Sequence, residues 1–119
     1  MPDSLPDSPL SILLVDDDRL IIELEQAWLS GEGYVVKAVR DGNEALEVLD
    51  REDIDIVIAD QVMPGMDGIT LLRTLRGPGR AKIPYFILVT GDPDPKLLNQ
   101  AFLDGADDFI PKPMQRIEF

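Results

Sequence analysis

Ile54-Asp55-Ile56-Val57-Ile58-Ala59-Asp60, residues 54–60, is a nearly unbroken apolar and β-branched run that stops on an aspartate. Such a run reads as a strand buried on both faces, the kind found inside parallel sheets. Helical spacing flanks it on both sides, with Ala45, Leu46 and Leu49 before it and Ile69, Leu72 and Leu75 after it. Farther out the strand signal returns at Ile12–Val15, Tyr34–Val39, Tyr85–Val89 and Phe109–Ile110. The helical signal returns at Leu20, Ile21, Leu24, Ala27 and Trp28, and at Leu97, Leu98, Ala101 and Phe102. Strand and helix in strict alternation predict an α/β fold, a parallel sheet covered by helices on both faces.

Lys37 within the second strand and Pro111 at the end of the fifth mark those two as edges, which favours the doubly wound strand order 2-1-3-4-5. Right-handed crossovers then place the helices after strands two, three and four on one face, and the first helix with any helix after strand five on the other. The punctuation agrees. Asp41 with Glu44 forms a capping box, Asp94-Pro95 pairs an N-cap with a first-turn proline, and Asp18 caps the first helix. Gly31 and Gly105 are expected as left-handed C-caps, while Pro64, Gly65 and Gly68 read as turn and helix-start residues.

With 119 residues the chain suits one domain, taken as residues 10–119 behind a flexible, proline-containing tail at residues 1–9. A net charge of −12 argues against nucleic acid as a direct ligand, because phosphates would be repelled. Cysteine and histidine are both absent, so chemistry must run on carboxylates, hydroxyls and lysines, and a thiolate or imidazole metal site is excluded. The opening has no basic n-region and no long apolar run, and Ile12–Val15 is too short to span a bilayer. The expectation is a cytoplasmic protein without a membrane partner.

In a doubly wound sheet, ligands sit beyond the carboxyl ends of the strands, at the switch point between strands one and three. The polar residues at those ends are Asp16-Asp17-Asp18, Asp60, Thr90 and Lys112. Taken singly each has an ordinary explanation as a cap, a strand end or a solvated lysine. Taken together they form a site, because clustered carboxylates repel one another unless a cation lies between them. All-oxygen ligation suits Mg²⁺. A carboxylate can serve as nucleophile to form an aspartyl phosphate while metal, lysine and hydroxyl stabilise the transferred oxygens.

Four ordered segments, ILLVDDD, VIADQVMPGMDG, FILVTG and GADDFIPKP, resemble the signature segments of response-regulator receiver domains and cover Ile12 to Pro113. The resemblance implies a flavodoxin-like fold and a phosphorelay role in two-component signalling, as a phosphoacceptor that catalyses only its own phosphorylation and slow dephosphorylation. It makes Asp60 the phosphorylation site. Asp17 would bind Mg²⁺ directly, Asp16 largely through water, and the backbone carbonyl of Val62 would complete the ligands beside Asp60. Thr90 would hydrogen-bond one phosphoryl oxygen and Lys112 pair with another, with Gly91 keeping the approach open. Val62 and Asp92 would tune hydrolysis. Phe109 stands at the position of the switch aromatic, although a phenylalanine simply packed in the core explains it equally well. The Lys112-Pro113 bond would be cis.

The implied partners are a sensor histidine kinase or phosphotransfer protein, and an output domain in the same full-length chain or a partner protein. The family's fifth helix would be cut short after Phe119, leaving Met114, Ile117 and Phe119 as its start. The chain is then expected to be a piece of a longer protein whose bare face is covered by an irregular tail or by a homodimer. Two other readings compete with this one. Asp16-x-Asp18, Thr90 and Asp107-Asp108 resemble haloacid-dehalogenase phosphatases, but Lys112 follows the acidic pair where those enzymes place it before. A receiver-like binding module without phosphorylation would have lost part of the site, and none is lost here.

Overall fold

A five-stranded sheet in the order β2-β1-β3-β4-β5, every neighbouring pair parallel, organises the chain in a computed structural model that describes residues 9–79, 83–91 and 94–112. The elements alternate as β1 (Ser11–Val15), α1 (Arg19–Gly31), β2 (Val35–Val39), α2 (Gly42–Arg51), β3 (Ile56–Asp60), α3 (Gly68–Arg76), β4 (Tyr85–Thr90), α4 (Pro95–Leu103) and β5 (Asp108–Pro111). This is the expected doubly wound architecture, with β2 and β5 at the edges. Among the described residues no helix is long and apolar enough to cross a membrane.

Strand alternation divides the interior into two layers. Leu13, Val15, Val57, Ala59, Phe86 and Leu88 face one side, where they pack with Ala45 and Val48 of α2, Ile69, Leu72 and Leu75 of α3, and Ala101 of α4. Ile12, Leu14, Ile58, Val89 and Ile110 face the other, where Leu29 of α1 meets them. The crossovers are therefore distributed as the right-handed rule requires. At the β2 edge, Lys37 pairs with Glu52, which puts charge on an exposed ladder.

Capping is as the sequence implies at three helices. Asp18 Oδ1 accepts from the N–H groups of Leu20 and Ile21, Asp94 accepts from Lys96, and Asp41 accepts from Glu44 at 2.8 Å. Glu44 closes its box on the Arg40 N–H, one residue before the N-cap. Asp67 caps α3 in the same manner. Gly105 takes the left-handed conformation after α4, φ 108°, as expected. Gly31 does not: it is the last residue of α1, and Gly33 has the positive φ of 97°.

The buried face of α1 also differs from the sequence reading. The apolar residues Leu20 and Leu24 are exposed, and the inward positions are Ile22, Glu25 and Leu29. A glutamate sits in the inner stripe, so the sheet-facing side is not the most apolar one. Asp92, Pro113, Met114, Ile117 and Phe119, and the tail before Pro9, for which the sequence carries expectations, lie outside the described residues.

The β3–α3 connection brings the helix start against the strand end. Gly68 N–H donates to the Gln61 carbonyl at 3.0 Å, and Gln61 Oε1 accepts from Ile69 N–H at 2.9 Å. A Cβ on Gly68 would lie 2.7 Å from the Asp60 carbonyl oxygen and 2.7 Å from Leu88 Cδ1. Backbone cannot yield as a flexible side chain can, so Gly68→Ala is expected to destabilise by about 1–3 kcal/mol in urea titration. Gly31→Ala, with nothing among the described residues within 4 Å of the added carbon, should be neutral or slightly stabilising. Equal midpoints for the two variants would refute this packing account.

Candidate functional site

Asp16, Asp60 and Lys112 each stand two residues beyond an apolar residue of the α1 layer, namely Leu14, Ile58 and Ile110. Period-two alternation therefore turns all three toward the side that α1 covers. The ladder extends just far enough to fix them. Asp16 N–H donates to the Val39 carbonyl at 3.2 Å, Gln61 N–H to Val89 at 2.8 Å, and Lys112 N–H to Thr90 at 2.8 Å. Sequence positions far apart are thus aligned along one end of the sheet.

Carboxylate oxygens of Asp16, Asp17 and Asp60 lie within 4.8 Å of one another. Asp16 and Asp60 are buried and Asp17 is exposed. Lys112 Nζ donates to Asp60 Oδ2 at 2.7 Å and stands 3.8 Å from Asp16 Oδ2. Asp16 Oδ1 accepts from Asp18 N–H at 2.9 Å, and Asp60 Oδ1 from Val62 N–H at 3.4 Å. Asp18 is turned away as the α1 cap, as expected.

Electrostatics follow from this crowding. Burial, with the charges of Asp60 and Asp17, pushes the Asp16 carboxyl above its ordinary value against the opposing pull of the Asp18 N–H and Lys112. Burial alone would depress Lys112, but its hydrogen bond to Asp60 and the charges of Asp16, Asp60 and Glu25 outweigh it and hold the ammonium above the usual lysine value. A site with surplus negative charge and three convergent oxygens fits a hard divalent cation. Two oxygens on one Mg²⁺ stand at most roughly 4.2 Å apart, so the 4.8 Å cluster needs only a small side-chain turn or an intervening water.

Around this centre, Thr90 is buried at the end of β4, one residue past Val89, the register partner of Asp60. Gly91 is exposed, and among the described residues a Cβ there would meet only Lys112 Cβ, at 3.7 Å. The Val62 side chain is 74% exposed. Phe109 is half-buried and packs against the larger apolar layer, which leaves both of its readings open. Asp107 belongs to the other end of the sheet, where its Oδ2 accepts from Phe86 N–H and from Arg76. The phosphatase-like arrangement, which needs Asp107 beside Asp16, is therefore not formed.

Glu25 is the residue that strand-end reasoning missed. It is 6% exposed, and burial together with Asp16, Asp60 and Asp18 raises its carboxyl to about 7 despite the favourable charge of Lys112. The available signal was its place in the i, i+3, i+7 series Ile22, Glu25, Leu29. A folded-state value above the ordinary 4.5 means that folding takes up a proton. The stability gained from a neutral Glu25 is complete below that ordinary value and is lost as pH rises through about 7. Glu25→Gln removes the dependence. In EDTA, its urea stability should exceed that of the wild type by an amount that grows from pH 5 to pH 8 toward roughly 3 kcal/mol. A pH-independent difference would contradict the assignment.

A family model described as the response regulator receiver domain matches residues 12–119. The response regulator MprA of Mycolicibacterium vanbaalenii is 41% identical over 106 residues, 88% of this chain and 45% of that protein. The chain thus spans about half the length of the curated relatives it matches. Among solved structures, the Vibrio cholerae chemotaxis protein CheY4 aligns with a TM-score of 0.86 at 26% identity, covering 92% of both chains. The receiver domain of the Pseudomonas aeruginosa sensor histidine kinase PA1611, solved with a magnesium ion coordinated in its active-site cleft, aligns at 0.82 and 27% identity, covering 93% of this chain and 91% of that one. With its sheet order, its acidic cluster and these matches taken together, the chain belongs to the response regulator receiver domain family, a signalling family of two-component systems.

Proposed function

We propose that Asp60 is the phosphoacceptor and that the domain acts as an Mg²⁺-dependent switch, phosphorylated by a sensor histidine kinase or a phosphotransfer protein. The observation that carries the reading is the Lys112–Asp60 pair at 2.7 Å, set among the convergent oxygens of Asp16 and Asp17. Asp16, Asp17, Asp60 and the Val62 carbonyl would hold the metal, which when bound neutralises charge on the phosphoryl oxygens. An Asp60 carboxylate oxygen forms the new bond to phosphorus as the bond to the donor's leaving group breaks. Lys112 then pairs with one phosphoryl oxygen, and the Thr90 hydroxyl donates to another.

Recruitment of Thr90 and Lys112 would bias the face formed by α4 and β5, with Phe109 as its reporter, and pass the state to an output domain or partner. The exclusion of nucleic acid drawn from net charge applies to this domain's own surface and does not extend to the rest of a longer regulator. Catalysis is confined to the domain's own phosphorylation and its reversal.

Two outcomes test the reading. Incubation with acetyl phosphate and Mg²⁺ should add one phosphoryl group by mass spectrometry, absent without Mg²⁺ and absent in Asp60→Asn. Stoichiometric, stable labelling of Asp60→Asn would sink the assignment. Hydrolysis needs a water held in line with phosphorus, and the exposed, apolar Val62 offers no hydrogen bond to orient it. Val62→Asn should therefore lose its phosphoryl group faster than the wild type, and Asp92 should have the smaller effect. Equal decay rates would show that Val62 does not govern water access.

A further inference from the structure

Helix α4 is held unevenly along its length. Of its nine residues only Ala101 is buried, whereas α3, of the same length, buries five. Leu97 is no more than partly buried against the larger apolar layer, and Phe102 and Leu103 are exposed. Among the described residues, the side chains from Lys96 to Asn99 make no hydrogen bond or ion pair to another element.

The far end is fastened by Arg73 and Arg76, both on the last turn of α3. Arg73 Nε donates to Asp104 Oδ2 at 2.8 Å, and Gln100 Nε2 donates to the same oxygen at 3.1 Å. The Arg76 guanidinium joins two further segments, giving one bond to the Pro84 carbonyl at 3.1 Å, one to the Gly105 carbonyl at 2.7 Å and one to Asp107 Oδ2 at 3.2 Å. Asp107 is in turn bound to β4: its N–H donates to the Phe86 carbonyl at 2.9 Å, and its Oδ2 accepts from the Phe86 N–H at 2.8 Å. Gly105 admits the arginine, since a Cβ there would lie 2.8 Å from Arg76 Nε, and its φ of 108° disfavours any other residue.

The loose and the fastened ends of α4 lie at opposite ends of the sheet. The helix starts shortly after Thr90, at the end that carries the carboxylates, and the chain leaves it for β5 beside Phe86. Phe86 and Thr90 are four residues apart on one strand, roughly 13 Å at the rise of a β-strand. An exposed pair such as Arg73–Asp104 adds little to stability, but a planar guanidinium with several acceptors fixes position well.

We propose that Arg73 and Arg76 form a fixed hinge for α4, so that phosphorylation swings its N-terminal end, beside Thr90, about an anchored turn at Asp104-Gly105. The inference rests on the reading of Asp60 as phosphoacceptor, with Thr90 drawn toward the phosphoryl group. A helix pivoting about one end moves most at the other. A partner that reads the state of the domain through α4 must therefore contact the half from Pro95 to Asn99, and the exposed Phe102 and Leu103 near the pivot report little of it.

The test follows backbone amide NMR signals of the full chain in Mg²⁺, before and after beryllofluoride, in the wild type, Arg73→Met and Arg76→Met. In the wild type the signals from Lys96 to Asn99 should shift, and those of Asp104, Gly105 and Asp107 should stay in place. In both variants the shifts should reach Asp104 and Gly105. Arg73→Met keeps every Arg76 contact, so it still reports should Arg76→Met fail to fold. A staple that served stability alone would lower the melting temperature of the variants and leave their pattern of shifts as in the wild type, which would overturn the hinge. Wild-type shifts as large at Asp104 as at Lys96 would overturn it too. If beryllofluoride moves no signal of the wild type, the Asp60 reading falls and the hinge falls with it. Hydrogen exchange of the Gly105 and Ala106 amides without any donor, expected to be several-fold faster in the variants, reports separately whether the arginines hold the turn.

Discussion

Three carboxylates held within 4.8 Å of one another, two of them buried, repel in a medium that screens poorly, and the Lys112 ammonium at 2.7 Å from Asp60 is the main restraint on that repulsion. The rest of the molecule can be read as what this arrangement requires. The parallel sheet supplies rigid strand ends, and the two apolar layers fix those ends from both sides. Removing one member of a buried ion pair typically costs about 3–5 kcal/mol, a large share of the stability of a domain this size. The site is therefore set on the two layers that can bear it, beside the central strands β1 and β3, with Lys112 reaching in from just beyond the β5 edge.

Most of the fold was legible because its signals are local. β-branched runs marked the strands, Lys37 and Pro111 marked the edges, and Asp18, Asp41 and Asp94 announced helix starts that the capping bonds bear out. The acidic cluster was legible for a topological reason: residues that end parallel strands must share one end of the sheet, so Asp16, Asp60 and Lys112 could be gathered without knowing any distance.

What escaped was set by tertiary contact. The face of α1 was misread because apolar spacing favoured Leu20 and Leu24, whereas the sheet meets the stripe containing Glu25. Gly31 was misassigned because the helix runs through it and the turn waits for Gly33. Gly68 was recognised as a helix-start residue, but the 2.7 Å approach to the Asp60 carbonyl is a distance that no local pattern encodes.

The register of the sheet has a consequence for how the protein comes into being. Ser11 pairs with Val35, Ile12 with Ile56, Ile56 with Tyr85 and Ile87 with Asp108, so no strand is joined to its neighbour by a tight hairpin. Every ladder must close a long loop before it returns any stabilisation, which makes such topologies slow to fold. Asp16, Asp60 and Lys112 stand at the ends of three different strands, β1, β3 and β5, so the site is complete only once those strands share one sheet. Competence for signalling therefore waits on the strand nearest the C-terminus, and a chain whose β5 has not yet joined β4 lacks the ammonium that pairs with Asp60.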